Sequence, residues 1–392
     1  MKFAILIAFV FLFFSSCEKE KETPLFQRGE LLDVEETIDI HLSEIPSTIG
    51  DSFPTSLAKF GVKGYKITYG TIYENKPIRS QALLLMPENT NDICLVAYFH
   101  GTILPLKLFD SDRKIPSKYD GGATEWREVR WCGVSLATSG YTVLLPDYIG
   151  YGTTADKEHP FVYYPELFKA NIDALLAVKT FFQQQKLTYD NRLFLAGWSQ
   201  GAGASLSAHK YIEADYADQF KIIASSNLAG PYNFTHFIED IFTNANQHYR
   251  AAALYTWAAY ALNRFSYLNR PCDQIFSFPV YDQFSAFDVL TSKPSELFRD
   301  YFIENLLNGN DELFRAVITE NSFHSGWAPQ GKIFLHHGTS DDVVPYFNSE
   351  DAYNGLNQES DNVFFYSYKN GTHDSHVDEY IKHTIEDFNK LR

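Results

Sequence analysis

Ser199 has the clearest chemical setting in the sequence, because it stands between two glycines in Gly197-Trp198-Ser199-Gln200-Gly201. The apolar run 193–196 before it predicts a buried strand, and the small residues after it predict the start of a helix. A serine on a sharp strand-to-helix turn holds its hydroxyl clear of the sheet, and the flanking glycines let the two backbones approach closely. Ser199 is therefore a candidate nucleophile.

A second glycine-rich segment, Pro-Asp-Tyr-Ile-Gly-Tyr-Gly at 146–152, ends the strand predicted at 141–145. His159-Pro160-Phe161 and a long predicted helix at 166–184 come next, before the Ser199 turn. This succession resembles α/β-hydrolases of the secretory-lipase type and their bacterial lipoprotein relatives. The resemblance implies an α/β fold, with a mostly parallel central sheet, an antiparallel N-terminal hairpin, helices on both faces and an inserted, mostly helical cap.

Two later segments match the family's pattern for the partners of the nucleophile. A strand predicted at 332–336 leads into His-Gly-x-x-Asp-x-x-Val-Pro, and this resemblance makes Asp341 the acid of a catalytic triad. After a last predicted strand at 363–368, a Gly-x-His pattern makes His373 the expected general base, with His376 as the alternative. The chain order Ser, Asp, His is the order expected of this fold.

The loop after the strand predicted at 93–99 begins with His100-Gly101-Thr102. In α/β-hydrolases, a His-Gly at this position often begins the loop that donates one N–H group to the oxyanion hole. The resemblance assigns that donor to Thr102 and the second donor to the backbone of Gln200, the residue after the nucleophile. His100 itself is either part of this function or a packed loop histidine.

The glycine-rich segment 146–152 also contains two candidate substrate contacts, Tyr148 and Tyr151, which we expect to line an acyl pocket. Its acidic residue, Asp147, is expected only to shape the turn. The segment 232–327 is rich in Phe, Tyr and Trp at helical spacing and is too long for a loop. It predicts a helical cap whose aromatic residues mostly form the cap's own core.

The first residues of the chain predict a targeting segment rather than part of the fold. A positive residue is followed by an apolar run at 3–14, which is too short to span a bilayer comfortably. Ser15-Ser16-Cys17 resembles a bacterial lipoprotein processing site, which implies cleavage before Cys17 and acylation of that residue. The protein would then be anchored at the bacterial cell envelope, on the outer membrane or the cell surface. Ordinary secretion is the alternative if Cys17 is not acylated.

The predicted organisation has five parts. Its boundaries are 1–16 for the signal peptide, 17–36 for a charged tether, 37–231 for the first part of the hydrolase core, 232–327 for the cap and 328–392 for the second part of the core. Within the first part, alternating strands joined by a turn at 74–77 predict the antiparallel hairpin at the sheet edge.

The composition of the chain limits which partners and cofactors are expected. The chain has 33 Lys and Arg against 49 Asp and Glu, a formal net charge of −16, which argues against nucleic acid as a partner. Beyond the predicted lipid site, Cys94, Cys132 and Cys272 cannot all pair, and the first two are expected to be buried thiols. There is no metal-ligand spacing, and the neighbouring His336 and His337 point to opposite faces of a strand. We therefore expect neither a metal nor an organic cofactor.

The sequence thus predicts a serine esterase or lipase-like enzyme that acts on small-molecule esters with an apolar part, through an acyl-enzyme intermediate. A serine exopeptidase of the same fold is a second hypothesis, although no propeller-like repeat precedes the catalytic part. A third hypothesis is a non-catalytic binding protein on a hydrolase scaffold. The natural substrate, its acyl length and the oligomeric state are not determined by these patterns.

Overall fold

The computed structural model describes residues 26–50, 55–105 and 114–392 of the chain. A nine-stranded sheet with the order β1-β2-β3-β5-β4-β6-β7-β8-β9 runs through this described part. In chain order the strands are β1 (Leu31–Ile40), β2 (Val62–Tyr73), β3 (Lys76–Pro87), β4 (Leu95–Phe99), β5 (Thr142–Pro146), β6 (Arg192–Trp198), β7 (Lys221–Leu228), β8 (Lys332–Gly338) and β9 (Val363–Tyr368).

The sheet has an antiparallel side and a parallel side. Strands β1, β2, β3 and β5 pair antiparallel in that order, and the hairpin of β2 and β3 is the one that the sequence predicts. Strands β4 to β9 are all parallel to one another. Because parallel strands have their carboxyl ends at one edge of the sheet, the loops after β4, β6, β8 and β9 can meet there.

Helices cover both faces of the sheet. In chain order they are α1 (Ile45–Ile49), α2 (Ser135–Thr138), α3 (Tyr164–Gln184), α4 (Gln200–Asp215), α5 (Phe234–Thr243), α6 (Ala252–Phe265), α7 (Gln283–Phe287), α8 (Pro294–Leu297), α9 (Asp300–Leu307), α10 (Glu312–Glu320), α11 (Phe347–Leu356) and α12 (Val377–Asn389). A π-helical turn, Val129–Val134, runs directly into α2.

Two apolar cores result from this layering. One core contains α3, α4, α11 and much of the cap, and the other contains α1, α2, the π-helical turn and α12. Strand β6 shows the alternation, since Leu195 belongs to the first core while Phe194 and Ala196 belong to the second. Strands buried on both faces have continuous apolar sequences, which is why the motif-bearing strands were recognisable.

The segment 232–327, all of which the structure describes, contains the six helices α5 to α10 and no strand. Its β-structure is limited to one isolated antiparallel bridge between Phe276 and Phe298. The segment leaves the sheet after β7 and returns at β8, so the predicted mostly helical cap is an insertion between neighbouring strands.

The start of the described chain differs from the prediction. The boundary drawn at residue 36 falls inside β1, so residues 31–36 of the predicted tether belong to the sheet. Acidic side chains on this edge strand face solvent, while Ile38 and Ile40 are buried. Without knowledge of the neighbouring strand β2, so many charged residues indicate a segment in solvent rather than a strand.

The cysteines agree with the sequence analysis as far as the structure describes them. Cys94 and Cys132 are buried free thiols, and Cys272 is half-buried and free. Cys17 and the whole predicted signal segment 1–16 lie outside the described residues. Among the helices that the structure does describe, none combines the length and the apolar character that crossing a membrane requires.

Candidate active site

Ser199 lies on the turn between β6 and α4 with a positive φ of 58° and a ψ of −122°, a combination that residues with a side chain rarely adopt. The turn is tighter than side chains allow, since a Cβ on Gly201 would lie 1.9 Å from the carbonyl oxygen of Phe99. A Cβ on Gly197 would lie 2.2 Å from the carbonyl oxygen of Gly201. The glycines therefore permit this contact between strand and helix, and the contact holds Ser199 in a strained conformation typical of functional sites.

The loop after β9 brings His373 to the serine. The Nε2 atom of His373 is 2.9 Å from Oγ of Ser199, and its Nδ1 atom is 2.8 Å from Oδ2 of Asp341. The indole N–H of Trp198 donates a 3.0 Å hydrogen bond to the carbonyl oxygen of His373 and so ties this loop to the end of β6. These distances put a hydroxyl, an imidazole and a carboxylate in one hydrogen-bonded chain.

His376 does not share this position. Its Nδ1 atom is 2.7 Å from Oγ of Ser375, its ring stacks on Tyr368 at a centroid distance of 5.0 Å, and its Nε2 atom is 3.5 Å from Glu379. Of the two histidines that the sequence left open, the one that contacts Ser199 is His373.

Asp341 is fully buried in the turn after β8. Its Oδ1 atom accepts hydrogen bonds of 2.9 Å from the backbone N–H groups of Val343 and Val344, and its Oδ2 atom accepts from His373 and from His337. Burial by itself would raise the pKa of Asp341, but the hydrogen bonds from the two histidines outweigh it and hold this pKa well below its usual range. The carboxylate therefore stays ionised at neutral pH.

His337 is a functional candidate that the sequence analysis missed, because it was considered only as a metal ligand. Its Nε2 atom lies 3.1 Å from Oδ2 of Asp341 and 2.9 Å from the carbonyl oxygen of Val344, so this nitrogen must carry a hydrogen. Its Nδ1 atom lies 2.7 Å from Oγ of Ser349 on α11. The neighbouring His336 points to the opposite face, as expected for a strand, and contacts Ser226 and Tyr368 there.

Gln200 and Thr102, the two predicted oxyanion donors, belong to segments that adjoin Ser199. Gln200 is the first residue of α4, where a backbone N–H has no partner within its own helix. Strand β4 pairs with β6 up to Phe99 and Gly197, so the loop that carries Thr102 lies beside the Ser199 turn. A Cβ on Gly101 would lie only 3.7 Å from Cβ of Ser199.

The side chain of Gln200 is held away from the serine by His159, from the segment before α3. The Nε2 atoms of these two residues are 2.6 Å apart, and Nδ1 of His159 is 2.7 Å from the carbonyl oxygen of Ile149. Burial lowers the pKa of His159 to about 3, so the ring is neutral, donates through Nδ1 and accepts from the Gln200 amide. The side chain of Gln200 is thus fixed, and the role of its backbone N–H as an oxyanion donor stays a prediction.

Tyr148 and Tyr151 are both buried and contact the loop after β4. The hydroxyl of Tyr148 donates to the carbonyl oxygen of His100 at 3.1 Å, and that of Tyr151 donates to the carbonyl oxygen of Ile103. Their predicted contact with substrate stays a prediction. Burial lowers the pKa of His100 to about 4, and its ring stacks on Tyr148 at 4.0 Å, so it is a neutral packed loop residue.

Asp147 binds a residue of another segment, Ser117, so its expected role in shaping its own turn stays a prediction. Its carboxylate accepts hydrogen bonds from the backbone N–H and the hydroxyl of Ser117, at 2.8 Å and 2.5 Å. Three residues of types that can bind a metal ion, Asp39, His41 and Glu88, lie close together near β1, at the far edge of the sheet. Its residues are mostly exposed, and it is not part of the Ser199 site.

We expect His337→Phe to lower kcat/KM by roughly 10-fold, because Asp341 loses one of its four donors and is free to turn away from His373. His337→Gln, whose amide can donate in place of the imidazole N–H, should stay within roughly 3-fold of the wild type. Steady-state kinetics on a p-nitrophenyl ester measures both. His336→Phe is the control, since it should lower the melting temperature without lowering kcat; equal kcat losses in all three variants would contradict a specific role.

Comparison with known proteins gives the family context of this site. Residues 130–265 match the secretory lipase family. The matched segment includes β5, α3 and the Ser199 turn, and it ends before Asp341 and His373. No match was found among the curated proteins.

Solved structures share the whole architecture at low sequence identity. A candidate hydrolase from Legionella pneumophila is 20% identical with a TM-score of 0.78, over 92% of this chain and 98% of that one. The rice cell wall degrading esterase LipA from Xanthomonas oryzae is 22% identical with a TM-score of 0.77, over 93% and 100%. Candida antarctica lipase A is 17% identical with a TM-score of 0.61, over 89% and 78%.

Identities this low show a shared fold and no more. The secretory lipase match supports the predicted enzyme class, carboxylic ester hydrolase. The chain therefore has the α/β-hydrolase fold that its sequence predicts, and its residues 130–265 carry the sequence pattern of the secretory lipase family.

Proposed function

We propose that this protein is a serine hydrolase that cleaves carboxylic esters through an acyl-enzyme intermediate. The observation that carries the proposal is the hydrogen-bonded chain from Ser199 Oγ through His373 to Asp341, with distances of 2.9 Å and 2.8 Å. A nucleophile, a base in contact with it and a third group that orients the base are the parts that covalent acyl transfer needs.

In the proposed reaction, Oγ of Ser199 attacks the ester carbonyl carbon while Nε2 of His373 takes the hydroxyl proton. The backbone N–H groups of Gln200 and Thr102 donate to the oxyanion. The bond to the ester's alkoxy oxygen breaks, and the alcohol leaves with the proton from His373. Water then attacks the acyl carbon while His373 takes its proton, the bond from the acyl carbon to Oγ breaks, and His373 returns the proton to Ser199 as the carboxylic acid leaves. Asp341, which stays ionised, holds the imidazole in one tautomer and stabilises its charged form.

The most direct test of this proposal is Ser199→Ala, which should lower kcat for p-nitrophenyl butyrate by roughly 10⁴-fold or more because the nucleophile is lost. A fluorophosphonate probe should label the wild type, forming the Oγ–P bond with loss of fluoride, and should not label the variant. Ser205→Ala on α4 is the matched control, because this buried hydroxyl has no hydrogen-bond partner within the described residues. A wild type that neither hydrolyses esters nor takes the label would favour the binding-protein hypothesis.

The cap supports a substrate with an apolar part. Helices α5, α6, α9 and α10 enclose a cavity lined by aliphatic and aromatic side chains, among them Phe237, Ala259 and Phe302. One lining residue, Tyr255, donates a 3.1 Å hydrogen bond to the carbonyl oxygen of Val343, two residues after Asp341. Apolar pockets with few polar groups recognise hydrocarbon chains or aryl groups by burying them.

If this cavity takes the acyl chain, Ala259→Trp should fill it and lower kcat/KM for p-nitrophenyl octanoate by roughly 10-fold or more, since several methylene groups lose their burial site. Hydrolysis of the acetate should change far less. Leu313→Trp, at an exposed position on α10, is the control in the same cap. If Ala259→Trp lowered kcat/KM equally for the acetate and the octanoate, the cavity would not be the site that binds the acyl chain.

We further propose that the mature protein begins at Cys17 and is anchored at the bacterial envelope through its acylated N-terminus. The secretory lipase match suggests a protein that works outside the cell, which agrees with the predicted signal segment 1–16.

Expression with a labelled fatty acid tests the anchor. The wild type and Cys272→Ser should incorporate label and sediment with membranes, and Cys17→Ser should do neither while keeping its activity per mole. An unlabelled wild type recovered from the medium would establish ordinary secretion instead.

A further inference from the structure

The loop after β4 is held by three side chains that the proposed reaction does not use. Two are the tyrosine hydroxyls described above, which bind the carbonyl oxygens of His100 and Ile103. The third is the carboxylate of Glu128, which binds the backbone N–H of Gly101 between them. Side chains from other parts of the chain therefore bind the backbone of this loop at residues 100, 101 and 103.

Glu128 sits immediately before the π-helical turn Val129–Val134. Its Oε1 atom accepts 2.8 Å hydrogen bonds from the hydroxyl of Tyr98 and from the N–H of Gly101, and its Oε2 atom is 3.0 Å from the same N–H. Burial raises the pKa of Glu128 to about 7. An ionisable carboxyl group in such surroundings costs folding free energy.

The position of this carboxylate relates it to the nucleophile. A Cβ on Gly101 would lie 3.3 Å from Oε2 of Glu128 and 3.7 Å from Cβ of Ser199. The carboxylate and the serine therefore both pack against Gly101. The contact of both carboxylate oxygens with this one N–H holds the plane of the His100–Gly101 peptide, whose carbonyl oxygen is bound by Tyr148. The next peptide, which carries the Thr102 N–H, is held through its carbonyl oxygen, since Nδ1 of His100 lies 2.7 Å from the oxygen of Gly101.

The contact also decides which N–H groups of the loop can face a substrate. The N–H of Gly101 is already bound to Glu128, so it is not a donor to an oxyanion. The next N–H along the loop is that of Thr102, the donor that the proposed function requires.

We propose that Glu128 is a positioning residue for the oxyanion hole: its carboxylate binds the Gly101 N–H and so orients the Thr102 N–H toward the acyl oxygen. This inference rests on the proposed serine hydrolase function. Glu128 does not touch the reacting atoms, and its effect passes entirely through the backbone of the loop. Because the oxyanion forms only after attack, loss of this positioning affects kcat rather than substrate binding.

The test compares four variants on p-nitrophenyl butyrate. Glu128→Ala should lower kcat by roughly 10- to 100-fold with KM changed by less than about 3-fold, because one oxyanion donor is displaced. Glu128→Gln keeps a carbonyl oxygen in the same place and should recover most of the activity. Glu128→Asp keeps the charge but withdraws it from Gly101, and should lose kcat as Glu128→Ala does. Tyr98→Phe removes the other partner of the carboxylate and should stay close to wild-type kcat, even if its melting temperature falls.

Two outcomes would overturn the inference. One is that Tyr98→Phe loses as much kcat as Glu128→Ala, which would make the carboxylate a core anchor only. The other is that Glu128→Asp is more active than Glu128→Gln, which would mean that charge matters and placement does not. If Glu128→Ala does not fold, the relative kcat values of Glu128→Gln and Glu128→Asp still test the inference.

The rate of fluorophosphonate labelling separates this inference from the proposed function. A wild type that is not labelled contradicts the hydrolase proposal itself. A wild type that is labelled, together with a Glu128→Ala variant labelled at the same rate, contradicts the role of Glu128 alone, since phosphonylation also develops charge on an oxygen in the oxyanion hole.

Discussion

The whole site depends on a backbone contact that no side chain could occupy. Gly201 lies so close to the end of β4 that an added Cβ would be 1.9 Å from the carbonyl oxygen of Phe99. This contact brings the start of α4 against two neighbouring strands and holds Ser199 at a positive φ. If the packing widened, the hydroxyl of Ser199 would move away from His373, from which it is 2.9 Å.

Two buried carboxylates beside this turn show how their surroundings set their behaviour. Asp341 accepts hydrogen bonds from two imidazoles and two backbone N–H groups, which compensate for its burial and keep it ionised. Glu128 accepts from one hydroxyl and one N–H, and burial raises its pKa to about 7. Asp341 thus has four donors and Glu128 has two, in agreement with the opposite directions of their pKa shifts.

The division of the chain between core and cap also divides the tasks. The core supplies the proposed reacting groups from the ends of β6, β8 and β9, where rigid parallel strands fix them. The cap supplies a cavity without a fixed relation to the strand pattern, enclosed by helices that pack mainly through Phe and Tyr side chains. The proposed reacting groups and the cap cavity thus belong to separate parts of the chain.

The sequence by itself determined the fold class, the strand ends and the position of the Ser199 turn, because buried parallel strands and a Gly-x-Ser-x-Gly turn are encoded by neighbouring residues. It left open which histidine reaches the serine, placed residues 31–36 outside the sheet and gave Glu128 and His337 no role. The tertiary structure decides the first two points and supplies the contacts on which the proposed roles of Glu128 and His337 rest. Each depends on a partner far away in the chain, as Glu128 depends on Gly101 and β1 on β2, and no local pattern records where such partners meet.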